Sequence, residues 1–302
     1  MAECKVTMWN SSGIRAGTAS TPAKMALFDN ENPKADYTIA AFVETHHRNT
    51  DDFPEYITEH AEHFNIVHTP TPPTHTHSGI IIMISKAYDI IQQNTVIPGR
   101  LINVHISHKT TKHEYNLSVY YGTHLEHLTV NEMEEICNNF KTIHNIQNNN
   151  IIIGDFNFAD HNLDKGKGRN GKDRSFTAYW DTFKKDCNMT DPYRKKFPKR
   201  KIFSFIGPQG KSRGDRVYIN EESLNNITDI RYINHNFNTA HKIMKFTLKD
   251  QKTQGPGYWK MNSSILNDTA YVKMIEQTVE RMEQNLYEVS IHPGTGDWKR
   301  FS

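Results

Sequence analysis

Ile151-Ile152-Ile153-Gly154-Asp155-Phe156-Asn157 is the stretch on which the fold of this chain turns. Three β-branched residues in succession predict a buried strand, and the glycine after them permits a sharp turn of the backbone. A carboxylate and a carboxamide follow, two residues apart. Along an extended chain alternate side chains share a face, so Asp155 and Asn157 are expected on one side, with Phe156 turned into the core. A polar pair at the end of a hydrophobic strand is a common way to present catalytic groups at the rim of a sheet. The same pair also has the makings of an Asx turn that closes the strand.

Working outward from that run, a helix precedes it. Thr129 and Glu132 have capping-box spacing, and Met133, Ile136, Phe140 and Ile143 repeat at helical intervals up to the turn Asn148-Asn149-Asn150. Further strands are predicted at 5–10, 38–43, 79–84, 101–106, 116–121, 202–206, 216–220 and 243–248, and a second helix from near Ser175 through Tyr179 and Phe183. Short strands that alternate or are wholly apolar suit a two-layer β core. Composition shifts near Lys249, and Gly255-Pro256-Gly257 interrupts helix and strand alike. A boundary is therefore expected at about residue 250, separating a domain over 1–250 from a segment over 251–302. Residues 267–287 of that segment read as a helix, with Val272, Ile275, Val279, Met282 and Leu286 on one stripe that needs a partner surface.

Bulk composition sets the frame. At 302 residues the chain has room for one large α/β domain or two small ones, and 36% hydrophobic with 23% charged residues is the balance of a globular protein. No apolar run approaches the ~20 residues of a membrane helix, and the first residues lack the apolar stretch of a secretion signal. The three cysteines form no C-x-x-C pair, so reduced thiols are expected and a structural zinc site is not. A net charge of +2 does not announce a nucleic-acid binder. Its distribution says more: 165–174 and 194–201 are dense in Lys and Arg, suited to contacting phosphates, to acting as a nuclear import signal, or simply to lying solvated in loops.

Metal-assisted cleavage of a phosphodiester needs a hard cation held by oxygen ligands, a positioned water and a stabilised leaving oxygen. Acidic and amide residues at strand ends are the groups to look for. Val6-Thr7-Met8-Trp9-Asn10 ends in an amide and Ala41-Phe42-Val43-Glu44-Thr45-His46 in a glutamate; Ser212-Arg213-Gly214-Asp215-Arg216-Val217-Tyr218-Ile219 sets an aspartate before a strand, and Thr239-Ala240-His241 precedes the last strand. Taken singly, Glu44 reads as a solvated edge residue, His241 as a half-buried histidine, and Tyr120 and Tyr121 as strand aromatics, one in and one out. Gly166 to Lys172 falls short of a P-loop because Asp173 stands where a hydroxyl is needed. His75-Thr76-His77 and His46-His47 find no second ligand pair at zinc spacing, which leaves His46 as a residue flanking the Glu44 strand.

In their order, these blocks resemble the apurinic-type endonuclease domain of non-LTR (LINE-type) retrotransposons, within the DNase I-like endonuclease/exonuclease/phosphatase superfamily. That family has a W-N strand, an E-T-H strand, V-Y, G-D-F-N, S-R-x-D-x-I/V-Y and a closing S-D-H, and the match covers residues 1 to about 250. Beyond it, Gly255-Pro256-Gly257-Tyr258-Trp259-Lys260-Met261-Asn262 is similar to the segment that leads to reverse transcriptase in such elements.

The resemblance implies an α/β fold, a four-layer α/β/β/α sandwich with a helical C-terminal extension. It implies a Mg²⁺-dependent endonuclease, with Mn²⁺ as a substitute, that nicks double-stranded DNA to prime reverse transcription. Glu44 is implied as the main metal ligand with Asn10 beside it, Asp155 as the group that orients or deprotonates water, and Asn157 as its holder. Asp215 would pair with His241 and fix its tautomer, Tyr120 would stabilise the pentacovalent phosphorus, and Ser204 and Arg213 would contact the substrate. The implied partners are double-stranded DNA and the reverse transcriptase domain of a longer polyprotein, with no membrane and no small-molecule cofactor, acting in the nucleus. No paired-aspartate polymerase motif follows residue 250, so a longer product or a truncated copy is expected. One position departs from the pattern: Ala240 stands where the family has aspartate, and a lost carboxylate weakens cation binding. A repair endonuclease, inositol phosphatase or deadenylase of the same fold, and a catalytically dead DNA-binding remnant, stay open as alternatives.

Overall fold

The structure is a computed structural model and describes residues 3–15, 17–31, 37–49, 53–123, 130–144, 149–166, 174–208, 210–234, 240–249 and 267–291. Among them the apolar runs form two six-stranded sheets. The first runs in the order β13 (Ile227–Ile233), β14 (Ile243–Lys249), β1 (Glu3–Asn10), β2 (Ile39–Val43), β4 (Ile80–Ser85), β3 (Phe64–Thr69). The second runs β5 (Tyr88–Ile97), β6 (Leu101–His108), β7 (Glu114–Tyr121), β8 (Asn149–Asp155), β12 (Asp215–Asn220), β9 (Met189–Thr190). A two-stranded ribbon, β10 (Phe205–Gly207) with β11 (Gly210–Ser212), stands apart from both sheets.

The period of two along each strand sorts the side chains into layers. Val6 and Met8 of β1, Ile39, Ala41 and Val43 of β2, Ile151 and Ile153 of β8, and Val217 and Ile219 of β12 meet in one core between the sheets. Their alternates turn the other way. Trp9, Phe42, Ile81 and Met83 pack with Met25 and Phe28 of α1 (Thr21–Glu31) and Ile57 of α2 (Glu55–His60). Tyr120, Ile152 and Tyr218 pack with Met133, Ile136 and Phe140 of α3 (Val130–His144) and with Trp180 and Phe183 of α4 (Arg174–Asp186). Each fully buried aliphatic side chain contributes roughly 1.5–3 kcal/mol relative to exposure, and wholly apolar strands covered on both faces follow from this. The result is a helix layer, two sheets and a second helix layer: the four-layer sandwich that was expected.

Several expectations change in detail. Gly154 makes no turn; it lies within β8, paired with Tyr120 and Arg216 at φ +151, and a Cβ there would stand 1.7 Å from the carbonyl oxygen of Tyr120. Glycine is needed for close approach of two backbones, not for a bend. The strand predicted at 202–206 shortens to β10, and α5 (Pro192–Lys196), β3, β5 and β13 were not foreseen. β5 is an edge strand whose middle residues are polar and exposed, so no apolar period marks it. Thr129, Asn148 and Gly255 to Asn262 lie outside the described residues. The chain divides into two compact units, Met1–Gln251 and Lys252–Ser302, the second containing α6 (Thr269–Ile291). No described helix is long and apolar enough to cross a membrane. Cys4, Cys137 and Cys187 form no disulfide.

Candidate active site

The parity that fills the inter-sheet core also sets out the polar groups at one end of it. Asn10 continues the face of Val6 and Met8, Asp155 that of Ile151 and Ile153, and Asp215 that of Val217 and Ile219. Register brings the last two side by side, since Asp215 pairs with Asp155 across the antiparallel ladder of β12 and β8. Asn10, at the tip of the other sheet, donates from Nδ2 to Asp155 Oδ2 at 2.8 Å, so one hydrogen bond joins the two sheets at the site. Asn10 Oδ1 accepts from the backbone N–H of Ser12 at 3.0 Å.

His241 enters on the segment before β14. Its Nδ1 is 2.9 Å from Asp215 Oδ2 and 3.8 Å from Asp155 Oδ2. Burial disfavours the imidazolium, but the charge and hydrogen bond of Asp215 prevail and raise the pKa to about 9. Asp155 moves the opposite way from an ordinary carboxyl: burial first, then the neighbouring Asp215, push it up to about 6, against the pull of His241. The segment holding His241 is stitched to β10, with Ile206 N–H donating to Ala240 O at 2.8 Å and Lys242 N–H to Ser204 O at 2.7 Å. The Phe205 ring lies 5.0 Å from that of His241.

Asn157 joins the site by an Asx turn. β8 ends at Asp155; Asn157 has φ 54, and its N–H donates to Asp155 Oδ1 at 3.0 Å. The turn is what keeps the amide beside the carboxylate, and both residues line the same cleft. Asn157 Nδ2 donates to Gly122 O at 2.7 Å, which orients the amide. Glu44 follows β2 in a left-handed conformation, φ 55. Burial opposes its ionisation, yet hydrogen bonds from His46 and Asn10 and the charge of His241 hold its carboxyl down at about 2. Beside it, Lys24 Nζ donates to the carbonyls of Ser11, Ser12 and Gly13 at 2.8, 2.7 and 2.7 Å and fixes the loop after Asn10. Ser12, Glu44, Asp155, Asn157, Ala240 and His241 line a cleft of about 360 Å³.

Three expected site residues do not reach this cleft. Tyr120 faces the helix layer, packed between Phe140 and Phe156 at ring distances of 5.6 and 5.5 Å. Its neighbour Tyr121 has the inter-sheet parity, pairs in register with Asp155, and is close enough to Glu44 and Asp155 that burial and both carboxylates push its pKa up. Counting from Leu117 and Val119 identifies it. Ser204 is fully buried, and its hydroxyl accepts from the backbone N–H of Asp215 at 3.0 Å, so it braces the aspartate in place of touching a substrate. Arg213 is fully buried as well: Nε and Nη2 donate to the two oxygens of Asp164 at 2.8 Å each, Nη2 also meets Asp191, and the guanidinium lies over the Tyr193 ring. It is a structural cation of the β12 approach. Of the basic run 194–201, Arg194 pairs with Asp164 and Lys195 with Glu221, while Lys199, Arg200 and Lys201 are exposed. Residues 167–173 of the other run lie outside the described residues.

The donor set suits a divalent cation. Three carboxylates, Glu44, Asp155 and Asp215, converge with His241 as their nearby imidazolium, an excess of negative charge. Asp215 Oδ1 is buried without a hydrogen-bond partner among the described residues. The Asp155, Asp215 and His241 donors lie within 4.8 Å of one another, as do those of Glu44, His46 and His77. Hard oxygen donors of this kind are what Mg²⁺ and Mn²⁺ take. Ala240 contributes no ligand.

No family model matches the chain. The Transposon TX1 uncharacterized 149 kDa protein of Xenopus laevis is 24% identical over 221 residues, which make up 68% of this chain and 16% of that protein. The chain therefore spans about a sixth of the length of that relative. Among solved structures, the AP endonuclease LMAP from Leishmania major is similar with a TM-score of 0.64 at 14% identity, over 82% of this chain and 88% of that one. The 3′ phosphatase NExo from Neisseria, bound to product DNA hairpin, has the same TM-score and identity over 82% of this chain and 100% of its own. The chain has the DNase I-like fold of these enzymes, and its sequence match is to a transposon protein, in line with the resemblance drawn from the motifs.

Proposed function

We propose that this chain is a divalent-cation-dependent DNA endonuclease domain that nicks one strand of duplex DNA. The freed 3′-hydroxyl then primes reverse transcription by a polymerase domain of a longer transposon-type polyprotein, which implies work on chromosomal DNA in the nucleus. The observation that carries the reading is the meeting of six residues from five separate stretches of the sequence: Glu44, Asp155, Asn157 and His241 line one cleft, with Asn10 hydrogen-bonded to Asp155 and Asp215 to His241 behind them. The transposon relative supports the priming role, and the nuclease-type fold supports hydrolysis of a phosphodiester.

Each residue has work that follows from its surroundings. Asp155, raised to about 6, is ionised at neutral pH but near enough to it to accept a proton from an attacking water. Asn10 Nδ2 and Asn157 N–H hold one oxygen each of that carboxylate and fix its direction. Asn157, oriented through Gly122, offers its amide oxygen to the same water. His241, protonated at neutral pH, brings a positive charge to the phosphate through Nε2, while Asp215 holds Nδ1. Tyr121 keeps its proton and serves as a donor toward Glu44. Glu44, ionised throughout the neutral range, would hold the cation with Asn10 at its side. A divalent ion bound there supplies Lewis-acid polarisation of the phosphate and neutralises charge that builds in the transition state.

Supercoiled plasmid incubated with the protein and Mg²⁺ tests this: open circles should form, and EDTA should stop them. The equal likeness to a 3′ phosphatase gives one specific alternative, removal of a terminal phosphate from DNA. Release of inorganic phosphate from a 3′-phosphorylated oligonucleotide, without plasmid nicking, would favour that reading.

A further inference from the structure

We propose that Glu44, His46 and His77 form a second metal site, on the rim of the cleft, that takes Zn²⁺ in preference to Mg²⁺. Chain spacing hides it, because His77 lies 31 residues beyond His46. In the fold, His46 Nε2 is 3.5 Å from Glu44 Oε1 and 3.1 Å from His77 Nδ1. A tetrahedral zinc ion with bonds of about 2.0–2.1 Å sets its ligand atoms roughly 3.3–3.4 Å apart. Both observed separations fall within a few tenths of an ångström of that requirement.

The site is built into the backbone. Glu44 and His46 both adopt left-handed conformations, φ 55 and 58, which side chains other than glycine rarely take. Strain at two alternate residues is held by the surrounding ladder: Gly13 N–H donates to Glu44 O, Ile14 N–H to Thr45 O, Thr45 N–H to Gly79 O and His46 N–H to Ser78 O, all between 2.8 and 3.1 Å. The last two bonds tie the Glu44–His46 turn to the residues that follow His77. Gly13 leaves room for the His46 ring, since a Cβ there would stand 2.8 Å from Nδ1.

The chemistry of the donors selects the metal. Two imidazole nitrogens at 3.1 Å share one proton between them; a cation that replaces it takes a lone pair from each ring, and the donating ring changes tautomer, carrying its proton to the other ring nitrogen. Imidazole with carboxylate suits zinc, and three protein ligands leave a fourth position for water. His77 is exposed and the other two are half-buried, so the ion has a way in. Glu44 belongs to both sites. Zinc held by His46 and His77 would draw Glu44 away from the cation that serves cleavage, and would inhibit it. That consequence rests on the nuclease reading, whereas the site itself does not.

The test is calorimetric titration of the full, chelator-treated chain with Zn²⁺, together with zinc X-ray absorption of the loaded protein. One equivalent should bind, His77→Ala should weaken it at least tenfold, Asp155→Asn should leave it within twofold, and the absorption spectrum should show two imidazoles. His77 is an exposed loop residue, and a thermal melt of the variant checks that it is folded. No zinc binding, binding unchanged in His77→Ala, or a spectrum with fewer than two imidazoles would overturn the site. In a separate arm, Zn²⁺ added to Mg²⁺-driven plasmid nicking should inhibit the parent at lower concentration than His77→Ala. Zinc bound through two imidazoles without any inhibition would overturn the sharing of Glu44, and a chain that never nicks leaves the binding arm to decide alone.

Discussion

On the β8–β12 flank of the cleft, Asp155 and Asp215 sit at paired positions of one ladder, are at most 1% exposed, and are each held by side-chain and backbone hydrogen bonds. On the β2 flank, Glu44 and His46 are half-buried, lie beyond the end of their strand, and depend on left-handed backbone. Ala240, where a carboxylate was expected, also lines the cleft. The rigidity of the first flank comes from register, and the proposed nuclease would use it for protons and phosphate charge. The geometry of the second comes from a loop that the rest of the fold constrains, and the proposal gives it the metal.

The contrast can be broken first through the support of the rigid flank. Arg213 is a buried cation between Asp164 and Asp191, and removing one partner of such a network costs about 3–5 kcal/mol. Arg213→Ala should lower the unfolding free energy from denaturant titration by that amount, and a loss under about 1 kcal/mol would show that the flank does not rely on it. The metal flank is sharpened by Ala240→Asp. Restoring a carboxylate should raise nicking at limiting Mg²⁺ by roughly tenfold to a hundredfold, about 1.4–2.7 kcal/mol of barrier. Unchanged activity would mean that position 240 is dispensable. Between the flanks stands Tyr121. Tyr121→Phe removes one donor and should slow nicking by about tenfold, whereas Tyr120→Phe, in the helix-side core, should alter the rate less than about twofold. The reverse order would return the role to Tyr120.

The pairing of His241 with Asp215 can be read from pH. His241 has a folded pKa of about 9 against an ordinary value of 6.5, so the folded state binds the proton more tightly than the unfolded chain. Its stabilisation is complete below 6.5, fades as pH rises toward 9, and is absent above. Denaturant midpoints of the parent, measured against those of Asp215→Asn, should converge across that window. Parallel curves would contradict the pairing.

Strand parity explains which parts of this arrangement were legible in the sequence. Asn10, Asp155 and Asp215 stand at strand ends, where a period of two counted along the strand puts them on the face of Met8, Ile153 and Val217. Two adjacent tyrosines at positions 120 and 121 could not be told apart from the motif alone, because a slip of one residue exchanges the faces. Arg213 and Ser204 have residue types that suit phosphate contact. Their partners, Asp164 49 residues away from Arg213 and the Asp215 backbone 11 residues from Ser204, appear only after folding. The Glu44–His46–His77 cluster was hidden twice over: His77 lies 31 residues beyond His46, and no residue type announces positive φ when the residues are Glu and His.

If the cleft of Asp155 and His241 cleaves DNA, nicking of supercoiled plasmid in Mg²⁺ by the parent, by Asp155→Ala and by His241→Ala will show it. The parent should open the circle, and each variant should lose activity by about a hundredfold or more. Variants that nick as fast as the parent would contradict the assignment.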